Sequence, residues 1–175
     1  LIISVVISDF AQSAFADMLV GSDITNRVLR YDDSGKFVGY ITGGGLTAPC
    51  GMIFRPDGDL LVASNSTHQV LQFGGASSNY AYKGVFASGG GVLSPHGLTF
   101  APNGDLMVAS YSNDTLIRYD GTTGAPKHQF SGGGLDNPTN LVIGPGNDLY
   151  VASNQTNSIL RFDGATDAFK GVFVS

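Results

Sequence analysis

Asp59-Leu-Leu-Val-Ala-Ser64, Asp105-Leu-Met-Val-Ala-Ser110 and Asp148-Leu-Tyr-Val-Ala-Ser153 are three spellings of one phrase, and Asp17-Met-Leu-Val-Gly-Ser22 is a fourth. Their serines recur at intervals of 42, 46 and 43 residues. Short β-type runs repeated with a period in the forties predict the blades of a β-propeller, because one such unit cannot bury both its faces alone and must stack on neighbours. The phrase itself, apolar almost throughout, reads as a strand covered on both sides.

Working outward, each repeat reads as four strands. In the third, Gly97-Leu-Thr-Phe100 places Leu98 and Phe100 on one face, and Asn103-Gly104 reads as a two-residue hairpin turn leading into Asp105. Asp57-Gly58 and Gly146-Asn147 stand at the same place in neighbouring repeats. A polar turn then leads to a third strand, Thr115-Leu-Ile-Arg-Tyr119, matched by Arg27 to Tyr31, Gln69 to Phe73 and Ser158 to Phe162. An outer strand around Lys127 to Phe130 and a glycine run complete the unit. The expected fold is all-β: about four blades of four antiparallel strands, with Leu61, Val62, Leu98, Phe100, Leu106, Val108, Leu141, Ile143, Leu149 and Val151 in or between them. The repeats are bounded at about 17–46, 47–92, 93–135 and 136–175.

Composition agrees. All 14 acidic residues are Asp, none is Glu, and Gly reaches 25 in 175 residues. Asp favours turns where Glu favours helix, so the bias points to hairpins. With a net charge of −5 and nine scattered Lys and Arg, the chain has no basic stripe for a phosphate backbone, and a nucleic-acid partner is not expected. Residues 1–16 hold the apolar run Leu1 to Ser8 and Ala14-Phe-Ala16, which reads as the remnant of a secretory signal peptide and implies a secreted, extracellular or periplasmic protein; the alternative is that residues 1–8 form a strand that completes the first blade. The run is too short to span a bilayer, so no stable membrane span is expected. The first blade then lacks its innermost strand, the propeller is partial or unclosed, and its unpaired edges invite self-association. The chain reads as a fragment of a longer six- or seven-bladed protein.

Val62-Ala-Ser-Asn-Ser-Thr-His-Gln-Val-Leu-Gln-Phe73, with first strands of the Pro95-x-Gly-Leu type, resembles the NHL-repeat family of β-propellers. Thr67 and His68 fall on that family's Asn-His pair, while Ser22, Ser64, Ser110 and Ser153 stand where the family usually has Asp. The six-bladed gluconolactonase and regucalcin type and the streptogramin-lyase type share the blade pattern. The resemblance implies, for the gluconolactonase type, a metal held by a Glu with Asn and Asp, and this chain has no Glu. Pro95-His96-Gly97 resembles a turn of the lyase type, whose His and Glu set has no match here.

The candidate site residues come from equivalence between repeats. Cys50, His96 and Thr139 each follow a Pro at the start of an inner strand and are expected at one mouth of the channel. A Cys and a His alone fall short of a closed metal site, so the metal is left unknown, no catalytic residue is assigned, and no cofactor is expected. The second candidate set lies in the turns between second and third strands: Asp23 and Asn26, Asn65 and His68, Asn113 and Asp114, Asn154 and Asn157. These turns suit a protein, peptide or glycan ligand. Two functions follow: a secreted binding or scaffold module acting through these rim loops, or a fragment of a metal-dependent hydrolase or lyase. Gly43 to Gly45, Gly89 to Gly91 and Gly132 to Gly134 are expected as crossover loops, since no Lys-Ser/Thr or helix follows them as in a phosphate loop.

Overall fold

The computed structural model describes residues 17–175 and the strand at Val5–Ile7. The described chain is built of β-strands and turns: no α-helix occurs in it, and its only helical pieces are four single 3₁₀ turns. Four antiparallel four-stranded sheets follow one another along the sequence. The first is β1 (Val5–Ile7), β2 (Met18–Ser22), β3 (Arg27–Tyr31) and β4 (Phe37–Ile41). The second is β5 (Pro49–Phe54), β6 (Leu60–Ser64), β7 (Gln69–Phe73) and β8 (Tyr82–Ser88). The third is β9 (Pro95–Phe100), β10 (Leu106–Ser110), β11 (Thr115–Tyr119) and β12 (Pro126–Phe130). The fourth is β13 (Pro138–Ile143), β14 (Asp148–Ser153), β15 (Ser158–Asp163) and β16 (Phe169–Val174). In each, the strands lie in sequence order, as a propeller blade requires.

The first blade corrects one expectation. Its innermost place is filled: Val5, Val6 and Ile7 pair with Val20, Leu19 and Met18. Three β-branched residues in a row suit a pleated surface, and β2 offers them a row of free backbone groups. The other residues of the 1–16 segment, read as a signal-peptide remnant, lie outside the described residues. A second correction concerns the first hairpins. Ala101 N–H bonds to Asp105 O at 2.8 Å and Gly104 N–H to Ala101 O at 2.9 Å, so the loop has three residues, Pro102 to Gly104, and not two. Gly104 takes the left-handed position (φ +85°) that such a loop needs at its end. Arg55 and Asp59 repeat the arrangement around Pro56 to Gly58.

The second strands are buried as their apolar runs imply: every residue of β6 and β10 is buried. Of the expected core, Phe100 and Ile143 are only half-buried and the others are buried. The chain forms two compact units, Leu1–Phe86 and Ala87–Ser175. In the first, Leu19, Val28 and Ile41 of the first blade pack on Leu60, Val62, Leu71 and Phe73 of the second. In the second, Met107, Ala109 and Leu116 pack on Leu149, Val151, Leu160 and Phe162. The glycine runs serve as expected. A Cβ on Gly44 or Gly133 would lie 2.1 or 2.2 Å from the ring of Tyr82 or Phe169, so these loops lie flat on the outer strand of the next blade.

Candidate functional site

Antiparallel alternation puts the start of each inner strand and each turn between second and third strands at the same end of its blade. The two candidate sets therefore share one rim within each unit. In the first unit Cys50 opens β5, and it is 3 % exposed. Burial, with a smaller contribution from the nearby Asp23 carboxylate, pushes its thiol up to about 11. In the second unit His96 opens β9, buried, with its ring stacked on Tyr111 at 4.6 Å between centroids. Burial lowers its pKa from the ordinary histidine value and favours the neutral imidazole. Thr139 lies beside it on the next blade, where a Cβ on Gly97 would come within 2.7 Å of Thr139 O. His96, Tyr111 and Thr139 thus share one patch, while Cys50 belongs to the other unit.

The rim turns are built to one plan. In each, a left-handed residue closes the turn: Asn26, His68, Asp114 and Asn157, with φ between +52° and +57°. Asn and Asp tolerate this conformation better than most residues, which explains three of the four. Two of these closing residues hold the next blade. Asn26 Oδ1 accepts from Ala48 N–H and Asp114 Oδ1 from Asn137 N–H, both at 2.8 Å. Asn113 is also engaged, donating to Gly91 O at 2.8 Å and lying 2.5 Å from Ser110 Oγ. Asp23 Oδ1 caps Ile24 N–H at 2.8 Å. His68, Asn154 and Asn157 are exposed, and Asn65 is partly so.

Beneath the turns sit Ser64, Ser110 and Ser153, each buried. Ser64 Oγ accepts from Thr47 N–H at 3.0 Å, donates to Thr47 O at 3.3 Å and accepts from Thr67 Oγ1 at 2.7 Å. Ser153 does the same with Asp136 and Thr156. A hydroxyl has one donor and two acceptor sites, and here all are used. The NHL-like position that carries Asp elsewhere thus carries a backbone staple in this chain.

The opposite end of each blade holds charges that the sequence reading did not single out. Asp17, Asp59, Asp105 and Asp148 are buried at the start of the second strands. Asp17 pairs with Arg30 at 2.9 Å, and Asp59, Asp105 and Asp148 pair with Lys83, Lys127 and Lys170 at 2.7, 2.5 and 2.7 Å. In the second unit Arg118, 3 % exposed, bonds to Asp167 and to Gly164 O of the next blade. His128 Nε2 lies 2.7 Å from the same Asp167 carboxylate, so this histidine is half-exposed and partnered. The signal was present as Asp at one fixed position in every repeat and Lys in three outer strands. Among the described residues, no three His, Cys, Asp or Glu side chains converge as a metal would require.

No protein-family model matches the sequence, and no curated protein matches it significantly. Solved structures do share the fold. Virginiamycin B lyase from Staphylococcus aureus is 17% identical with a TM-score of 0.74, over 97% of this chain and 54% of the lyase. A propeller from the nidogen/laminin complex is 19% identical with a TM-score of 0.75, over 91% of this chain and 59% of that one. The WD40 propeller of Doa1 is 14% identical with a TM-score of 0.66, over 83% of this chain and 45% of that one. The chain has the β-propeller fold that these structures share, and it spans about half the length of the lyase chains it matches.

Proposed function

We propose that the chain is a secreted binding module whose ligand, a protein, peptide or glycan, is held by the turns between second and third strands. One observation carries the reading: these turns present exposed side chains on a backbone already fixed. Ile24 is 76 % exposed at a turn tip, flanked by Asp23 and Thr25, while the turn below it is closed by Asn26 and tied to Ala48. Asn65, Tyr111 and Asn154 N–H bond to Ala48 O, Ser94 O and Asn137 O at 3.3, 3.2 and 3.3 Å, which pins the other three tips. Side chains held on a rigid backbone lose less entropy on binding, so weak polar contacts add up to useful affinity. A propeller solved within the nidogen/laminin complex has the same fold, which fits a protein ligand. No described helix is long and apolar enough to cross a membrane.

The second reading, a piece of a hydrolase or lyase, rests on His96, whose neutral ring suits a general base. One experiment separates the two. Peptide-display and glycan-array ligands selected on the chain are measured against Ile24→Ala with His68→Gly, and against His96→Ala. Binding should fall at least tenfold with the turn variant and hold with His96→Ala. Lactonase or lyase turnover by the chain that disappears with His96→Ala would replace the binding reading with the catalytic one.

A further inference from the structure

We infer that the second blade carries a binding site for a small zwitterion, an ammonium carboxylate such as a free amino acid, at the end opposite the rim turns. Its place is marked by two lysines of other blades. Lys127 lies 2.5 Å from Asp105 and 3.5 Å from Asp120, and Lys170 lies 2.7 Å from Asp148 and 3.7 Å from Asp163. Each thus stands between two carboxylates. The second comes from the residue directly after the last aromatic ring of the third strand, Tyr119 or Phe162. After Phe73 that residue is Gly74. Lys83, the counterpart of the two lysines, therefore has Asp59 as its one carboxylate among the described residues, with both oxygens at 2.7 Å. An ammonium has three donors, and two are used here.

The chain beside Lys83 opens a space. Eight residues separate Phe73 from Tyr82, where six separate Tyr119 from Pro126 and Phe162 from Phe169. The longer loop folds into the 3₁₀ turn Ala76–Ser78, held by Gly74 N–H on Ala81 O at 2.8 Å and Ser78 N–H on Gly75 O at 3.0 Å. It comes so close to the hairpin between β5 and β6 that a Cβ on Gly75 would lie 2.6 Å from Gly58 O. Loop and hairpin enclose a cavity of about 500 Å³, lined by Asp57, Asp59, Ser77, Ser78 and Lys83 among others. That is the size of a small-molecule site. Both walls belong to one blade, which has a blade on either side of it in the sequence.

Charge selects the ligand. Lys83 and Arg55 balance Asp59 and Asp57, with Arg55 Nε 3.2 Å from Asp57. A net anion or cation would leave the cavity with an uncompensated charge, and a ligand carrying both signs does not. Its carboxylate takes the remaining Lys83 donor, as Asp120 does beside Lys127. A Cβ on Gly74 would strike Ser78 Oγ, so at this end a hydroxyl lines the wall and residue 74 contributes no side chain. The ligand's ammonium faces Asp57, which is 53 % exposed. Asp57 accepts one bond from Asp59 N–H at 3.1 Å and one from Arg55, and a carboxylate has about four acceptor sites.

Saturation-transfer NMR tests the site, with glycine, alanine and serine as probes and acetate and methylammonium as single-charge controls. The amino acids should bind at millimolar concentration, and neither control should give a signal there. Lys83→Gln and Asp57→Asn should each weaken binding about tenfold or more, the loss of one charge-assisted bond, and Lys127→Gln should leave it unchanged. Asp57→Asn keeps its turn, because Asn103 Oδ1 accepts from Asp105 N–H at 3.1 Å in the third blade. Gly74→Asp with Ser78→Gly builds the third blade's carboxylate beside Lys83 and should abolish binding while circular dichroism keeps its β signal. Failure of every amino acid to bind overturns the inference. So does equal binding of acetate or methylammonium, binding that survives Lys83→Gln, Asp57→Asn or the folded double variant, or an equal loss with Lys127→Gln.

Discussion

Replacing Arg118 by Met removes the guanidinium from the most enclosed charged site in the second unit while keeping much of its aliphatic volume. The side chain is 3 % exposed and serves Asp167, Asp105 and Gly164 O together. A charge-assisted bond is worth about 1.5–3 kcal/mol, and breaking a buried pair costs about 3–5 kcal/mol because the partner charge is stranded. Here the partners are not wholly stranded. Asp167 keeps His128 at 2.7 Å, and Asp105 keeps Lys127 at 2.5 Å and Asn103 at 2.9 Å. The expected cost is therefore at the lower end, about 3 kcal/mol. Arg161→Met supplies the control: the same residue at the same strand position, 38 % exposed and 3.6 Å from its acid, should cost less than about 1 kcal/mol. Urea unfolding followed by circular dichroism gives both numbers from the midpoints, provided the slopes agree. Equal losses for the two variants would refute the argument that the crossing to the next blade, and not the arginine itself, supplies the stability.

Three further outcomes are expected. Gly133→Ala should destabilise by about 1–3 kcal/mol, from a Cβ driven into Phe169 at a left-handed φ, and by more than Gly134→Ala, which meets open space and bears the backbone strain alone; thermal melts of both decide it. Cys50 should react with maleimide at pH 8 more than about 100-fold slower in the folded chain than in urea, because its thiol is buried and raised to about 11; a fast native reaction would mean that β5 opens readily. His96 binds its proton less well folded than unfolded, so the unfolded chain takes up more protons once pH falls below about 6.5. Stability should then fall from pH 7.5 to pH 5, and His96→Gln should flatten that slope.

The blade was legible because its signal is local and repeated. Leu106 to Ser110 is apolar at every step before its closing serine, and the same run recurs three more times, so both the strand and its double covering follow from spacing alone. The inner strand of the first blade was legible only as the alternative to a signal peptide. Val5–Ile7 lacks the paired long side chains of its counterparts, Met52 with Phe54, Leu98 with Phe100 and Leu141 with Ile143, and its pairing with β2 depends on a contact that composition does not encode. The rim turns were read by residue type, which cannot sort their members. Asn26 reads only as a polar turn residue, yet its Oδ1 accepts from Ala48 N–H, a backbone partner 22 residues away that only folding reveals. The Arg118 to Asp167 bridge, 49 residues long, was hidden for the same reason.

The serine staple also decides where this architecture can change length. Thr47 to Ser64, Leu93 to Ser110 and Asp136 to Ser153 each span 17 residues, and in each the hydroxyl grips both the N–H and the C=O of its distant partner. A residue added between them would pull the grip out of register, since one step along a strand also turns its side chain to the other face. The spacing between repeats nevertheless varies, at 42, 46 and 43 residues. All of that variation falls after the serine, and the longest repeat spends it between β7 and β8, where Gly74 to Ala81 adds a 3₁₀ turn at Ala76–Ser78. Each blade thus has a half measured to the residue and a half that can absorb insertions. Grafted epitopes, or natural loops of new specificity, belong in the second.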